Sequence, residues 1–369
     1  MKLRLPRISE RFGFVDWWII APILFLICIG LVMQYSIGTN LEISTLSPFF
    51  DQLTYVAIGV AAFVIFSFID HRTIKGHAAI YFLFASALLV GVLIFGVTIK
   101  GTTGWFVLAG YSLQPVEIAK ILFILFIAAY FERSPEQMST YRYFIISGIS
   151  ASVLVGLVVL QPDLGSALIL FVLWFSFAIL LRAPKLGLVA VAVMAVGIFL
   201  VGWFFLFEDY QKDRLSTFIN PEADPMGTGY NITQSIVAIG SGSFWGRGLG
   251  LGTQSQLHFL PEVTSDFIFA AIAEELGFIS VLGILGSIGM ILFRLWVYMS
   301  RTKDMYVFLF CFGVFVYFLS QSFLVLGMNM GLLPVTGVPL PLVSAGGTSM
   351  VITLLAFGIV HRMGLVSRN

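Results

Sequence analysis

The chain has 369 residues, of which 59% are hydrophobic and 11% charged, with a formal net charge of +1. A soluble domain carries roughly a quarter charged residues, so this chain cannot cover a water-facing surface, and a mean hydropathy of +1.00 puts a bilayer in the place of solvent. Near-neutral charge, with the basic residues spread over short connectors, also excludes a nucleic-acid footprint.

Crossing about 30 Å of hydrocarbon takes roughly 20 apolar residues. That criterion predicts an all-α integral membrane protein of about ten transmembrane helices, at about 17–37, 52–69, 78–98, 117–131, 143–160, 165–181, 186–207, 266–293, 305–328 and 346–361. Lys2, Arg4, Arg7 and Arg11 precede the first span as they would a signal peptide. Its apolar run is too long for that role and no small-x-small cleavage site follows, so it is expected to stay as an anchor. Cys28 and Cys311 sit inside apolar runs and read as packing residues. His71, His77, His258 and His361 lack zinc-binding spacing.

Lysine and arginine fall mainly in alternate connectors. With the N-terminus inside, cytoplasmic segments hold Arg72, Lys75, Arg133, Arg142, Arg182, Lys185, Arg294, Arg301, Lys303 and Arg362, whereas outer segments hold Lys100, Lys212, Arg214 and Arg247. The bias predicts both termini in the cytoplasm. It also puts one large extracytoplasmic loop, 208–265, between helices 7 and 8 of a single polytopic domain, 1–369. No internal repeat or low-complexity linker is visible. That loop holds most of the glycine between spans and much of the charge, and loops on a rigid scaffold are where function is placed.

Ionisable residues within spans face a cavity or a partner, because charge in hydrocarbon costs at least a few kcal/mol. Glu117 and Lys120 are three apart and share a helix face. They read either as an ion pair that orients helices or as a cationic contact for phosphate, with Glu117 holding Lys120. Asp266 follows Pro261, Thr264 and Ser265 at the start of the eighth span. It reads either as a helix-start carboxylate favoured by the macrodipole or as a general base at the membrane–water boundary. Glu274 and Glu275 are adjacent and point to different faces, so at least one is expected to serve structure. The run from Gly331 to Ser349 contains Pro334, Pro339 and Pro341 and cannot be one helix. There Ser344, Gly346 and Gly347 read either as backbone N–H donors for an anion or as a tight turn.

Several segments in order then resemble one family: Gln114-Pro115-Val116-Glu117-Ile118-Ala119-Lys120, Gln161-Pro162-Asp163-Leu164-Gly165, Asn220-Pro221 through Gly229-Tyr230, Phe259 through Phe269, Glu274-Glu275-Leu276-Gly277 and Pro334 to Gly347. Together they resemble the SEDS family (shape, elongation, division and sporulation) over nearly the whole chain. The pieces Gly252 to Leu257 and Gly337 to Leu342 are closer to its elongation branch. Three positions depart from the family pattern: Gly104 before Trp105 where arginine is usual, Val116 where serine is usual, and Ala345 where tyrosine is common.

The resemblance implies a ten-helix peptidoglycan glycosyltransferase that polymerises lipid II during elongation. It implies as partners lipid II, the growing undecaprenyl-diphosphate-linked glycan, a class B penicillin-binding protein and other elongation-complex membrane proteins, all at the bacterial cytoplasmic membrane. Carried over by motif, Asp266 is the essential carboxylate, with Glu117 and Lys120 in its cavity. Arg214, Trp105, Glu262, Ser344, Gly346 and Gly347 are the further candidates for substrate contact. Lys120, Arg214 or a divalent cation (magnesium or manganese) could meet the charge of a leaving diphosphate. A lipid-linked sugar flippase and a non-catalytic scaffold for a transpeptidase are the rival readings, since intramembrane charges and a broken segment also suit a transporter.

Overall fold

The computed structural model describes residues 16–39, 47–99, 101–108, 110–132, 134–205, 212, 216–218, 228–257 and 259–366. Each of the ten predicted spans coincides with a helix: α1 Trp17–Thr39, α2 Ser47–Phe68, α3 Ala78–Phe95, α4 Pro115–Phe131, α5 Tyr141–Val159, α6 Leu164–Leu180, α7 Lys185–Phe205, α9 Ile268–Arg301, α10 Met305–Asn329 and α11 Gly347–Val366. Between α7 and α9 the described residues hold a further helix, α8, Thr228–Ser241, and a single helical turn, Thr253–Gln256. Eight of these are long and apolar enough to cross a membrane, and the protein is a multi-pass membrane protein. Helices α4 and α6, at 17 residues each, are at the short limit for spanning.

Local chemistry sets several helix starts. Pro115 opens α4 where a missing N–H costs nothing. Asp163 accepts from the Ser166 N–H at the start of α6, and Asp304 from the Tyr306 N–H at the start of α10. The centre of the bundle is α4, most of whose residues are buried, with α10 and α11, whose most apolar windows are 67% and 72% buried, against 6% for α7. Thus α7 lies at the rim of the bundle. Small residues let α11 close on α2: a Cβ at Gly59 would sit 2.6 Å from Leu354, and one at Gly358 would sit 2.6 Å from the Phe63 carbonyl.

The long loop and the starts of α9 and α11 share one end of the bundle. At the opposite end two polar clusters tie helices together. Asp16 pairs with Arg294 and accepts from the Tyr298 hydroxyl at 2.6 Å, while its N–H donates to His361 Nε2 at 3.3 Å. Lys75 pairs with Asp304 at 3.3 Å and with Glu132 at 3.6 Å.

Two features of the loop end were not legible in the sequence. A small antiparallel sheet, β1 Val97–Ile99, β2 Thr102–Leu108 and β3 Tyr111–Leu113, fills the α3–α4 connection, and the other regular elements among the described residues are helical. The second is an interruption of α9 at Gly277, where φ is 75° and ψ is −175°, a region that side chains disfavour. The loop repairs the broken ladder. Arg247 and Gly248 donate their N–H groups to the carbonyls of Glu274 and Glu275, while Phe278 and Ile279 donate to the carbonyls of Ser243 and Phe244. Non-helical backbone at membrane depth survives when it is satisfied in this way. The proline-bearing chain between Asn329 and Gly347 is non-helical, as predicted.

Candidate active site

Asp266 lies on a turn that leads into α9, and its side chain is partly exposed. Glu262 starts the turn with a φ of 52°, a strained value for a non-glycine residue. Its carbonyl collects the N–H groups of Ser265, Asp266 and Phe267 at 3.1, 3.1 and 3.3 Å. The next carbonyls are each captured from elsewhere. That of Thr264 accepts from Gln34 Nε2 of α1 at 2.9 Å and from the Ala345 N–H at 2.9 Å. That of Ser265 accepts from the Ser344 hydroxyl at 2.6 Å, and that of Asp266 from Asn329 Nδ2 of α10 at 2.8 Å. A turn whose successive carbonyls are held by three separate elements is rigid, which suits a group that must meet a substrate atom at fixed range.

Ser344 is 2% exposed, and its hydroxyl also accepts from the Leu340 N–H at 2.9 Å. It therefore stitches the Asp266 turn to the proline-bearing segment, and in this geometry its hydroxyl is committed to backbone. Gly347 lies under the Tyr55 ring, where a Cβ would come within 2.2 Å of a ring carbon, and Gly346 packs on Pro339. Trp105 is on β2, opposite Val97, in a sheet tied down through Ser112, whose carbonyl accepts from Tyr55 and Thr348 at 3.4 Å each. Arg214 lies outside the described residues.

Glu117 and Lys120 are fully buried on α4 and joined at 2.7 Å. Lys120 Nζ also donates to Gln321 Oε1 at 3.1 Å and stands 5.5 Å from the centre of the Tyr317 ring. The Tyr317 hydroxyl donates to Glu117 at 3.4 Å. Gln321 passes the connection on, its Nε2 donating to the Pro339 carbonyl at 2.9 Å. Asp163, beside this cluster, accepts from the Ser166 N–H at 2.9 Å and from Gln114 at 3.4 Å. Burial pushes its carboxyl above the ordinary carboxylate range, against the pull of the Ser166 N–H and of the Lys120 charge.

The structure thus joins Asp266, Glu262 and Ser344 in one pair of abutting turns. It links the Glu117–Lys120 pair to them through α10, where Gln321 and Asn329 are eight residues, or about 12 Å, apart. Gln321, Asn329 and Asp163 were not among the candidates read from sequence. The signal for the first two was there, an amide side chain inside an apolar helix, but amides carry no charge to draw the eye. Glu274 and Glu275 both serve the loop. Glu274 accepts from the N–H groups of Gln254 and Ser255 at 2.9 Å each, and Glu275 from the Gly250 N–H at 2.9 Å and the Ser36 hydroxyl at 2.6 Å.

A family model described as cell cycle protein, FtsW/RodA/SpoVE, matches residues 16–369. The chain belongs to the FtsW/RodA/SpoVE family. Its curated relatives include peptidoglycan glycosyltransferase MrdB of Escherichia coli (strain K12), 38% identical over 83% of this chain and 82% of that one. They also include probable peptidoglycan glycosyltransferase FtsW of Xanthomonas oryzae pv. oryzae (strain KACC10331 / KXO85), 32% identical over 98% and 75%. Among solved structures, rod shape determining protein RodA of Thermus thermophilus superposes with a TM-score of 0.69, at 26% identity over 96% of each chain. A chain from a peptidoglycan synthase complex that coordinates polymerisation and crosslinking superposes with a TM-score of 0.78, at 27% identity over 96% of this chain and 97% of that one. Membership makes this FtsW/RodA/SpoVE protein a membrane glycosyltransferase.

Proposed function

We propose that the protein polymerises lipid II into glycan strands during bacterial cell elongation and rod-shape maintenance, with Asp266 as general base. Asp266 takes the proton from the 4-hydroxyl of the acceptor GlcNAc as that oxygen attacks the anomeric carbon of the donor MurNAc. Undecaprenyl diphosphate leaves from the opposite face, and configuration inverts. The observation that carries this reading is the Asp266 turn: a partly exposed carboxylate on backbone whose carbonyls are bound to α1, α10 and the segment before α11. Glu262, Trp105, Arg214 and the backbone at Ser344, Gly346 and Gly347 are the candidates for holding sugar and diphosphate. Lys120, now committed to Glu117 and Gln321, meets phosphate only after those bonds rearrange.

Among the described residues no group of three or more His, Cys, Asp or Glu side chains could cage a metal ion. A magnesium or manganese ion here would be held chiefly by diphosphate oxygens and waters, with one or two carboxylates. In this reading the protein sits in the cytoplasmic membrane with both termini inside and the loop outside. A class B penicillin-binding protein crosslinks the product, and other elongation-complex proteins stand nearby.

Reconstituted protein given purified lipid II tests this, with glycan strands and head-group movement across the bilayer measured separately. Strands without movement are expected, and movement without strands would favour the flippase. Asp266→Asn should insert normally and lose about 10²–10⁴ in rate. Near-native polymerisation by that variant would refute the base assignment.

A further inference from the structure

We infer that Asn329 is a positioning residue for Asp266, its carboxamide inserted where a continuous helix would place a backbone hydrogen bond. In an α-helix the Asp266 carbonyl would accept from the Ala270 N–H, four residues on. Here the Asp266 carbonyl instead accepts from Asn329 Nδ2 at 2.8 Å, and the Ala270 N–H donates to Asn329 Oδ1 at 3.2 Å. One amide, reaching in from α10, thus bridges both ends of the missing link. It keeps Asp266 in the turn and out of the first turn of α9. It also caps α9, because Phe267 at the helix start has no side-chain acceptor to offer.

The surroundings of the amide fit this assignment. Asn329 is fully buried, and its Nδ2 also bonds the Val325 carbonyl at 2.9 Å, which fixes the amide plane. The Ser235 hydroxyl of α8 donates to the Asn329 backbone carbonyl at 2.7 Å, a contact that does not involve the bridging carboxamide. A cleft of about 470 Å³ opens nearby, lined by Phe269 of α9, Leu326 of α10, Met330 just beyond it and Ile239 of α8. Without the amide, the helix would be free to close from Asp266 to Ala270, turning the carboxylate by about 100° per residue added.

The inference rests on Asp266 acting as base, and the test separates the two. Asn329→Ala, which permits closure, and Asn329→Asp, which keeps the acceptor for Ala270 but sets an oxygen against the Asp266 carbonyl, are assayed on lipid II in liposomes. Ser235→Ala is the control, removing one anchor of α10 but not the bridge. Both Asn329 variants should lose about 10²-fold in kcat with KM for lipid II unchanged, as a displaced catalytic group does. The acid limb of kcat against pH should move in them and stay in place in Ser235→Ala. If the Asn329 variants keep parental kcat and pH profile while Asp266→Asn is inactive, the positioning role is overturned and the base assignment stands. A loss confined to KM, or one that Ser235→Ala reproduces, overturns it equally. Activity in Asp266→Asn overturns both. Should Asn329→Ala fail to insert, Asn329→Asp alone decides between these outcomes by the same kcat, KM and pH measurements.

Discussion

At the scale of single residues, the Glu117–Lys120 pair shows what burial does to charge. Both side chains have no exposure, and each finds further partners: Gln321 for the ammonium and Tyr317 for the carboxylate. Such a pair contributes little beyond a well-packed apolar substitute, but removing one partner strands the other. Lys120→Met should therefore cost about 3–5 kcal/mol, seen as a lower melting temperature in detergent. Glu117→Gln combined with Lys120→Met should recover much of that loss. If phosphate contact is the function of Lys120, the double variant will melt near the parent yet polymerise poorly, so stability and activity come apart.

At the scale of elements, α9 carries two exceptions to helical rule, the amide bridge at its start and the break at Gly277. Alanine at 277 would have to adopt the positive φ and would bring a Cβ within 2.2 Å of the Gly246 N–H. The backbone strain alone is about 1–3 kcal/mol. Gly277→Ala should lower the melting temperature and expose the 243–256 loop to protease, because that loop takes its hydrogen bonds from the break. The start of α10 makes a different prediction. Partial burial would by itself raise the Asp304 carboxyl, but the Tyr306 N–H and the Lys75 ammonium outweigh it and hold the group below the ordinary carboxylate range. A carboxyl depressed in the folded state contributes stability above its unfolded pKa and loses it as pH falls through the folded value. The parent should therefore lose melting temperature on acidification more steeply than Asp304→Asn, in melts run from neutral to acid pH.

At the scale of the whole molecule, the two ends do different work. The loop end holds the Asp266 turn, the sheet and the interrupted α9. The opposite end is tied by Asp16 with Arg294, Tyr298 and His361, and by Lys75 with Glu132 and Asp304. A transporter would have to open that end in every cycle. A polymerase working at the loop end would not. Lys75→Met and Asp16→Asn should accordingly lower the melting temperature but leave kcat for strand formation unchanged, whereas faster head-group movement in either variant would revive the flippase reading.

Hydrophobic run length was enough to locate ten helices, eight of them long and apolar enough to cross a membrane, and the non-helical segment between Asn329 and Gly347, because the bilayer imposes its thickness on any chain and proline removes donors wherever it falls. Residue type and order nominated Asp266, Glu117 and Lys120 as candidates. What those residues touch was decided only in three dimensions. Asn329 is 63 positions from Asp266 and Gln321 is 201 from Lys120, and the loop that completes α9 at Gly277 lies well upstream of it in the chain. Hydrogen bonds over such separations depend on which helices come to lie side by side, and the periodicity of an apolar segment carries no record of its neighbour.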